Sequence, residues 1–249
     1  MDKNSQPRTA IVTGAGKRVG AAIAAGLGAR GWSVVAHVHH AEDSVGEGMV
    51  RVAADLAAPD CAQKIFAAAA GLPPVRLLVN NAARFAWDGF GGFDEAEFDA
   101  HMAVNLKAPL RLGEAFYAAQ QSGDGGVALI VNLLDAKLAA PNPDFLSYTL
   151  SKQALAGLTE LAARAYSPRG VRVNAIAPAL MLRSAGQSDE NYRAMHAANP
   201  LGRGVEPADV LAALDYLIAS PAVTGAVLTI DGGQRFAAPG RDVQFMETA

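Results

Sequence analysis

Short β-branched runs alternate with Ala- and Leu-rich stretches along this chain, and that alternation admits few folds. Parallel strands need a crossover between them, and a helix is the usual one. The pattern predicts strands over 9–13, 33–38, 49–53, 77–80, 127–132, 172–176 and 227–230. It predicts helices over 18–29, 59–70, 95–120, 147–166, 189–197 and 207–219. Seven such strands form one doubly wound, mainly parallel α/β sheet, with its ligand crevice beyond the carboxyl ends of the strands. One link is short: eight residues, two of them glycine, separate His40 from Met49. A parallel crossover takes about ten to twelve residues, so the helix there is expected to shrink to a turn or vanish. The single domain is placed at 8–235, after a flexible N-terminus (1–7) and before a tail or arm (236–249) with Pro239, Gly240 and mixed charge.

The 249 residues suffice for one large domain, and at 51% apolar content they suit a packed globule. A net charge of −3 without a Lys/Arg-dense stripe argues against a nucleic-acid partner. The single cysteine, Cys61, forms no intrachain disulfide. Residues 1–9 lack the apolar core of a secretory signal, and apolar runs such as 127–134, broken by Asn132, are too short to span a bilayer. The expectation is a soluble cytoplasmic protein with no membrane partner.

From Ile11 to Gly20 the chain passes from an apolar strand through Gly14-Ala15-Gly16-Lys17-Arg18-Val19 into an Ala-rich helix. Small residues let the backbone approach a pyrophosphate, and a helix N-terminus offers free N–H donors. The spacing fits T-G-x-x-x-x-x-G rather than G-x-G-x-x-G; a turn that merely packs strand on helix is the alternative. The second strand ends in His37-Val38-His39-His40, with Lys17 and Arg18 on the neighbouring turn and no acid before Glu42. A carboxylate there would favour NAD, whereas cationic groups favour the 2′-phosphate of NADP. The histidines also admit a metal site or plain surface positions, but no Cys or acidic cluster completes a metal set. Asp55-Leu56, after the third strand, suits the adenine edge, and equally a cap for the following helix.

Tyr148 and Lys152 are four residues apart on one helix, so they share a face, and Asp135 lies thirteen residues before the tyrosine. A phenol titrates near pH 10 and is a poor acid–base group at neutrality. An ammonium within roughly 4 Å, at an effective dielectric near 20, favours phenolate by about 4 kcal/mol before desolvation opposes it. Asn80-Asn81-Ala82-Ala83 closes the fourth strand, and Asn105 lies in the next helix. Either could position backbone or water around the tyrosine.

Together these residues resemble the short-chain dehydrogenase/reductase family. The matching elements are TGAGKRVG, Asp55-Leu56, Asn80-Asn81-Ala82, Asn105, Tyr148 to Lys152, the run Arg172 to Pro178, Thr224-Gly225 and Asp231-Gly232-Gly233. The resemblance spans about residues 8–235 and implies a Rossmann fold with hydride transfer between a nicotinamide and a carbon centre. It implies that Tyr148 donates the proton, that Lys152 binds the nicotinamide ribose and lowers the tyrosine pKa, and that Asn105 holds the lysine through water. The nucleotide is then expected against Gly14, Lys17, Arg18, Val19, His39, His40, Asp55, Leu56, Asn81, Ala82 and Pro178.

Arg18, where most of the family has glycine, and Asp135, where most has serine, resemble the pteridine reductase branch. Phe85 fits the aromatic on which that branch stacks the pterin ring, and Leu180 lies in the substrate loop. Read alone, Asp135 also suits a loop acid and Phe85 a core aromatic. The chain departs from the branch at His40 and Ala41, where Arg and Ser are usual, and at Ala83, often serine. The resemblance implies NADPH-dependent reduction of a dihydropterin-like C=N bond. A reductase of another carbonyl or imine compound is the nearest alternative. A catalytically silent dinucleotide sensor or scaffold is the third, opposed by the intact Tyr148, Lys152 and Asn105. Leu150, Leu155, Leu158 and Leu161 make the 147–166 helix apolar beyond one core stripe, and in the family this helix packs on its twin, usually in a homotetramer.

Overall fold

A computed structural model describes residues 6–120, 128–183, 187–237 and 240–246. The terminal reading of 1–7 therefore lies mostly outside the described residues, as do Val127 of the fifth predicted strand and part of the tail. Seven parallel strands form one sheet in the order β3-β2-β1-β4-β5-β6-β7. They are β1 (Thr9–Val12), β2 (Ser33–Val38), β3 (Val50–Ala53), β4 (Val75–Asn80), β5 (Ala128–Leu133), β6 (Val171–Pro178) and β7 (Val227–Ile230). The order reverses between β1 and β4, so the connections leaving those strands run to opposite sides and open a crevice at their carboxyl ends.

The alternation of strand side chains builds two cores. Ala10 and Val12 of β1, with Val34, Val79 and Val131, meet Ile23 and Leu27 of α1 (Arg18–Ala29) and Leu214 and Leu217 of α7 (Pro207–Ala219). The opposite face carries Ile11, Val35, Leu78 and Ile130 against α2 (Cys61–Ala67), α4 (Ala108–Ala119) and α5 (Leu146–Tyr166). No helix joins β2 to β3, as the eight-residue link requires. The predicted 59–70 helix is trimmed to α2, and Asp60 rather than Asp55 occupies its N-cap position.

The long helix expected over 95–120 runs unbroken to Ala119 but not uniformly. It divides into α3 (Glu95–Met102), a π-helical turn over Ala103–Lys107 and α4. Pro109 supplies the reason: without an N–H it cannot donate to the carbonyl of Asn105 four residues earlier, so regular α pairing fails there. The wide turn holds Asn105 buried. Among the described residues no helix is long and apolar enough to cross a membrane.

The start of α5 is fastened from a distance. Its N-cap position is Phe145, at φ 54°, which offers no capping side chain. Buried Asp88, from the loop after β4, fills that role: one carboxylate oxygen accepts from Ser147 N at 2.9 Å, and the other from the Ser147 hydroxyl. The negative charge also suits the positive end of the helix dipole. We predict that Asp88→Ala costs about 2 kcal/mol, lowering Tm by about 4–8 °C, while Asp88→Asn costs less than half as much. Thermal unfolding of the two variants checks this, and equal losses would reject the capping account.

Candidate active site

At the end of β1 the backbone turns through Gly14, at φ +66°. A Cβ there would press on Asn81 and Ala82 at 3.0–3.1 Å, so the turn needs glycine twice over. The same contact couples the turn to β4. Asn81 Nδ2 donates to the Thr13 carbonyl (2.8 Å), and Thr13 Oγ1 accepts from Asn81 N and Ala82 N, both at 3.0 Å. Asn81 and Ala82 thus hold the turn in shape. Lys17, at the N-cap of α1, is exposed and makes no side-chain cap, and the first turn carries no acid. Free N–H donors beside a cation suit a pyrophosphate. Val19 packs against the β1 side of the core, and Pro178 closes β6.

Arg18 departs from expectation. Its guanidinium donates to the carbonyls of Leu182 (3.3 Å) and Arg183 (3.0 Å), beyond β6, rather than turning towards the histidines at the end of β2. Carbonyl oxygens outcompete open solvent for its fork of donors. Its backbone lies at φ 54°, the left-handed region that glycine enters freely. An L side chain there costs about 1–2 kcal/mol, so the chain accepts strain to hold a cation beside the β6 loop.

The three histidines at the end of β2 separate. His37 is buried: Nδ1 accepts from Gly14 N (3.2 Å) and Nε2 lies 2.9 Å from the Ala54 carbonyl, fixing the Nε2–H tautomer. Burial pushes its pKa down, and both nitrogens are engaged, which removes it from any metal set. His39 and His40 are exposed and meet edge to face at 4.3 Å. Beside them stands Arg51 of β3, which sequence reasoning missed; it donates to the carbonyls of Ala41 and Asp43. Its one signal was an alternate position on the neighbouring strand. Asp55 is exposed and caps its own turn at Ala57 N (2.9 Å), whereas the Leu56 side chain is buried in the second core, which leaves its backbone for a nucleotide.

Asp135, Tyr148 and Lys152 do come together. The Tyr148 hydroxyl donates to Asp135 Oδ2 at 2.9 Å, and Asp135 Oδ1 accepts from Lys137 N at 2.9 Å. Lys152 Nζ donates to the Leu133 carbonyl at 2.6 Å, 5.8 Å from the tyrosine ring centre. Whatever pull the lysine exerts towards phenolate is outweighed. Burial, and then the Asp135 carboxylate, raise the phenol well above 10. Burial also raises Asp135, and lowers Lys152 to about 8 against the opposing pull of Asp135. The site holds a neutral phenol beside a carboxyl shifted towards neutrality, which is the arrangement of a proton donor with its supply.

Asn105 does not touch the lysine. Its amide is spent on Arg84, accepting from Arg84 N (2.8 Å) and donating to Arg84 O (3.0 Å), and on Ser151 Oγ (2.9 Å). Sequence reasoning missed its neighbour His101, whose Nε2 accepts from Ala86 N at 3.3 Å. Residues 84 and 86 are thus pinned on both sides of Phe85. That ring stacks on Phe145 (4.4 Å) and meets Tyr148 edge-on (4.8 Å). Being 45% exposed, Phe85 is no core aromatic. It borders a cavity of about 130 Å³ with Asp135, Tyr148, Leu180 and, unexpectedly, Asp242 and Gln244 of the C-terminal arm.

A family model described as enoyl-(acyl carrier protein) reductase matches residues 14–235. L-xylulose reductase of Bos taurus is 32% identical over 244 residues, covering 94% of this chain and 98% of that protein. Galactitol 2-dehydrogenase (L-tagatose-forming) of Cereibacter sphaeroides is 34% identical, covering 90% and 93%. The crystal structure of FolM alternative dihydrofolate reductase 1 from Brucella canis, complexed with NADP, matches with a TM-score of 0.87 at 35% identity, over 96% and 98% of the two chains. The chain belongs to the short-chain dehydrogenase/reductase family, and it is an oxidoreductase.

Two outcomes follow from this geometry. Arg18→Gly should relieve backbone strain and hold or raise stability by about 1 kcal/mol, yet weaken NADPH and NADH alike. Loss confined to NADPH would return Arg18 to the 2′-phosphate. For Lys152, reduction needs the cation, which is lost as pH rises through about 8. The basic limb of kcat/KM in the reducing direction should therefore fall near that pH. A profile flat to pH 10 would show that another group carries the charge.

Proposed function

We propose that this protein is an NADPH-dependent reductase of a dihydropterin-like pteridine, acting on a C=N bond. The observation that carries the reading is the 2.9 Å hydrogen bond from Tyr148 to Asp135 in a cavity bordered by the half-exposed ring of Phe85. A ketone reductase needs only a hydrogen bond and a proton at oxygen. A pterin is flat, suits an aromatic wall, and must gain a proton on nitrogen as its carbon gains hydride. The likeness to a dihydrofolate reductase of this family supports the same substrate class.

NADP(H) is the cofactor, and when bound it supplies the hydride to the carbon of the C=N bond. Its pyrophosphate is held at the start of α1 by the Gly14 turn and Lys17, and its 2′-phosphate by His39 and His40 with Arg51. Tyr148 gives its hydroxyl proton to the ring nitrogen, and Asp135 returns one to the phenolate. Lys152 holds the nicotinamide ribose, and its charge limits the cost of the transient phenolate. Asn105 sets Phe85 through the Arg84 backbone. Exposed Leu150 and Leu161 on α5 support pairing of that face between subunits, consistent with a homotetramer.

The sugar-acting relatives favour a second reading, reduction of a hydroxyketone on the same scaffold. Asp135→Ser separates the two. Pterin reduction should fall at least about a hundredfold, while reduction of an activated ketone survives or improves. Turnover of dihydrobiopterin, dihydrofolate and several ketones with NADPH and NADH measures both. Pterin turnover that is unchanged in the variant, or missing in the parent, would move the assignment to the ketone.

A further inference from the structure

We infer that Asp242, on the C-terminal arm, is a specificity-determining residue whose carboxylate receives the N–H edge of the substrate; this rests on the pteridine reading above. The described part of the arm, 240–246, is tied down at several points. Asp144 Oδ2 accepts from Arg241 Nε and from Asp242 N, both at 2.8 Å. The Phe245 ring stacks on Phe145 at 5.8 Å, so Phe85, Phe145 and Phe245 form one aromatic series. Asn191 Nδ2 of α6 (Asp189–Ala197) donates to the Met246 carbonyl at 2.7 Å. These ties make the arm a wall of the cavity that holds Asp135 and Tyr148.

The chemistry of that wall is lopsided. Asp242 Oδ1 accepts from Gln244 N at 3.1 Å, and Oδ2 meets Lys137 Nζ at 3.4 Å, a long contact that Lys137 divides with the Asp144 carbonyl at 2.5 Å. A carboxylate has about four acceptor positions, so capacity remains on the cavity side. Asp242 also lies near enough to Asp135 and Tyr148 to raise both their pKa values. Asn142 borders the same cavity, and its Oδ1 finds no hydrogen-bond partner. The cations on the same lining are engaged elsewhere, Arg235 with Asp231 at 2.8 Å and Lys137 with the Asp144 carbonyl, so the acceptors of Asp242 and Asn142 call for a ligand that brings donors. The 2-amino group and N3–H of a pterin present two parallel donors on one edge, which match the two oxygens of a carboxylate. A sugar or simple ketone has no such edge.

The test uses the full-length enzyme with a 2-amino dihydropterin, its 2-desamino analogue and an activated ketone. For Asp242→Asn, KM for the aminopterin should rise about ten- to hundredfold with kcat changed far less, since a charged hydrogen bond is lost in binding rather than in chemistry. The ketone should be unaffected, the 2-desamino analogue, which keeps only N3–H, should lose clearly less than the aminopterin, and Asp242→Glu should recover part of the affinity. Equal losses on all three substrates, as expected if Asp242 only anchors the arm through Lys137, would overturn the inference. So would an unchanged KM. If the parent reduces the ketone but no pterin, the pteridine reading itself fails and this inference with it. If the parent reduces pterin normally while Asp242→Asn is indifferent to the 2-amino group, only this inference fails.

Discussion

Parallel pairing sets the terms for the rest of this molecule. When seven strands run the same way and the order reverses between β1 and β4, every connection at the carboxyl edge is pushed aside, and the backbone there must be satisfied by something other than the sheet. The chain answers with side chains. Thr13 and Asn81 bind the two diverging strand ends to each other, His37 binds the glycine turn to the end of β3, and Asp88 supplies the cap that α5 lacks. The loops carrying site residues are thus pinned through hydrogen bonds as well as packing.

Much of this was legible in the sequence, for reasons that differ by residue. Strand alternation, the short link after His40 and the glycine turn follow from local sterics and periodicity, which need no knowledge of distant contacts. Tyr148 and Lys152 were legible because helical spacing guarantees a shared face. Several that escaped have a partner far away in the chain. Asp88 lies 59 residues from Ser147, and Asp242 lies 105 residues from Lys137. Arg18 was visible as a cation, but its direction was set by carbonyls 164 and 165 residues on. The Leu56 side chain went to the core, as a hydrophobe just past a strand commonly does.

The electrostatics of the trio also differ from the simple expectation of a lysine beside a tyrosine. Charge attraction alone would draw Tyr148 towards phenolate. Burial acts on all three groups at once and disfavours every ionised form: it raises the phenol, raises the carboxyl and lowers the ammonium to about 8. The neutral phenol and the shifted carboxyl are then joined by one hydrogen bond, along which a proton can pass.

Local costs gather in this region. Arg18 and Phe145 are the two described non-glycine residues at positive φ, and both border the crevice. Asn80 Oδ1, at the end of β4, is buried without a partner, and Lys152 is buried with a single carbonyl. Each departure costs on the order of 1–3 kcal/mol, too much to persist by accident at several adjoining positions of a marginally stable fold. None is forced by the sheet, which would close as well with glycine at 18. The strain therefore sits where the crevice is furnished: a cation beside the β6 loop, the Phe145 ring stacked on Phe85, and a buried ammonium on the helix that carries Tyr148.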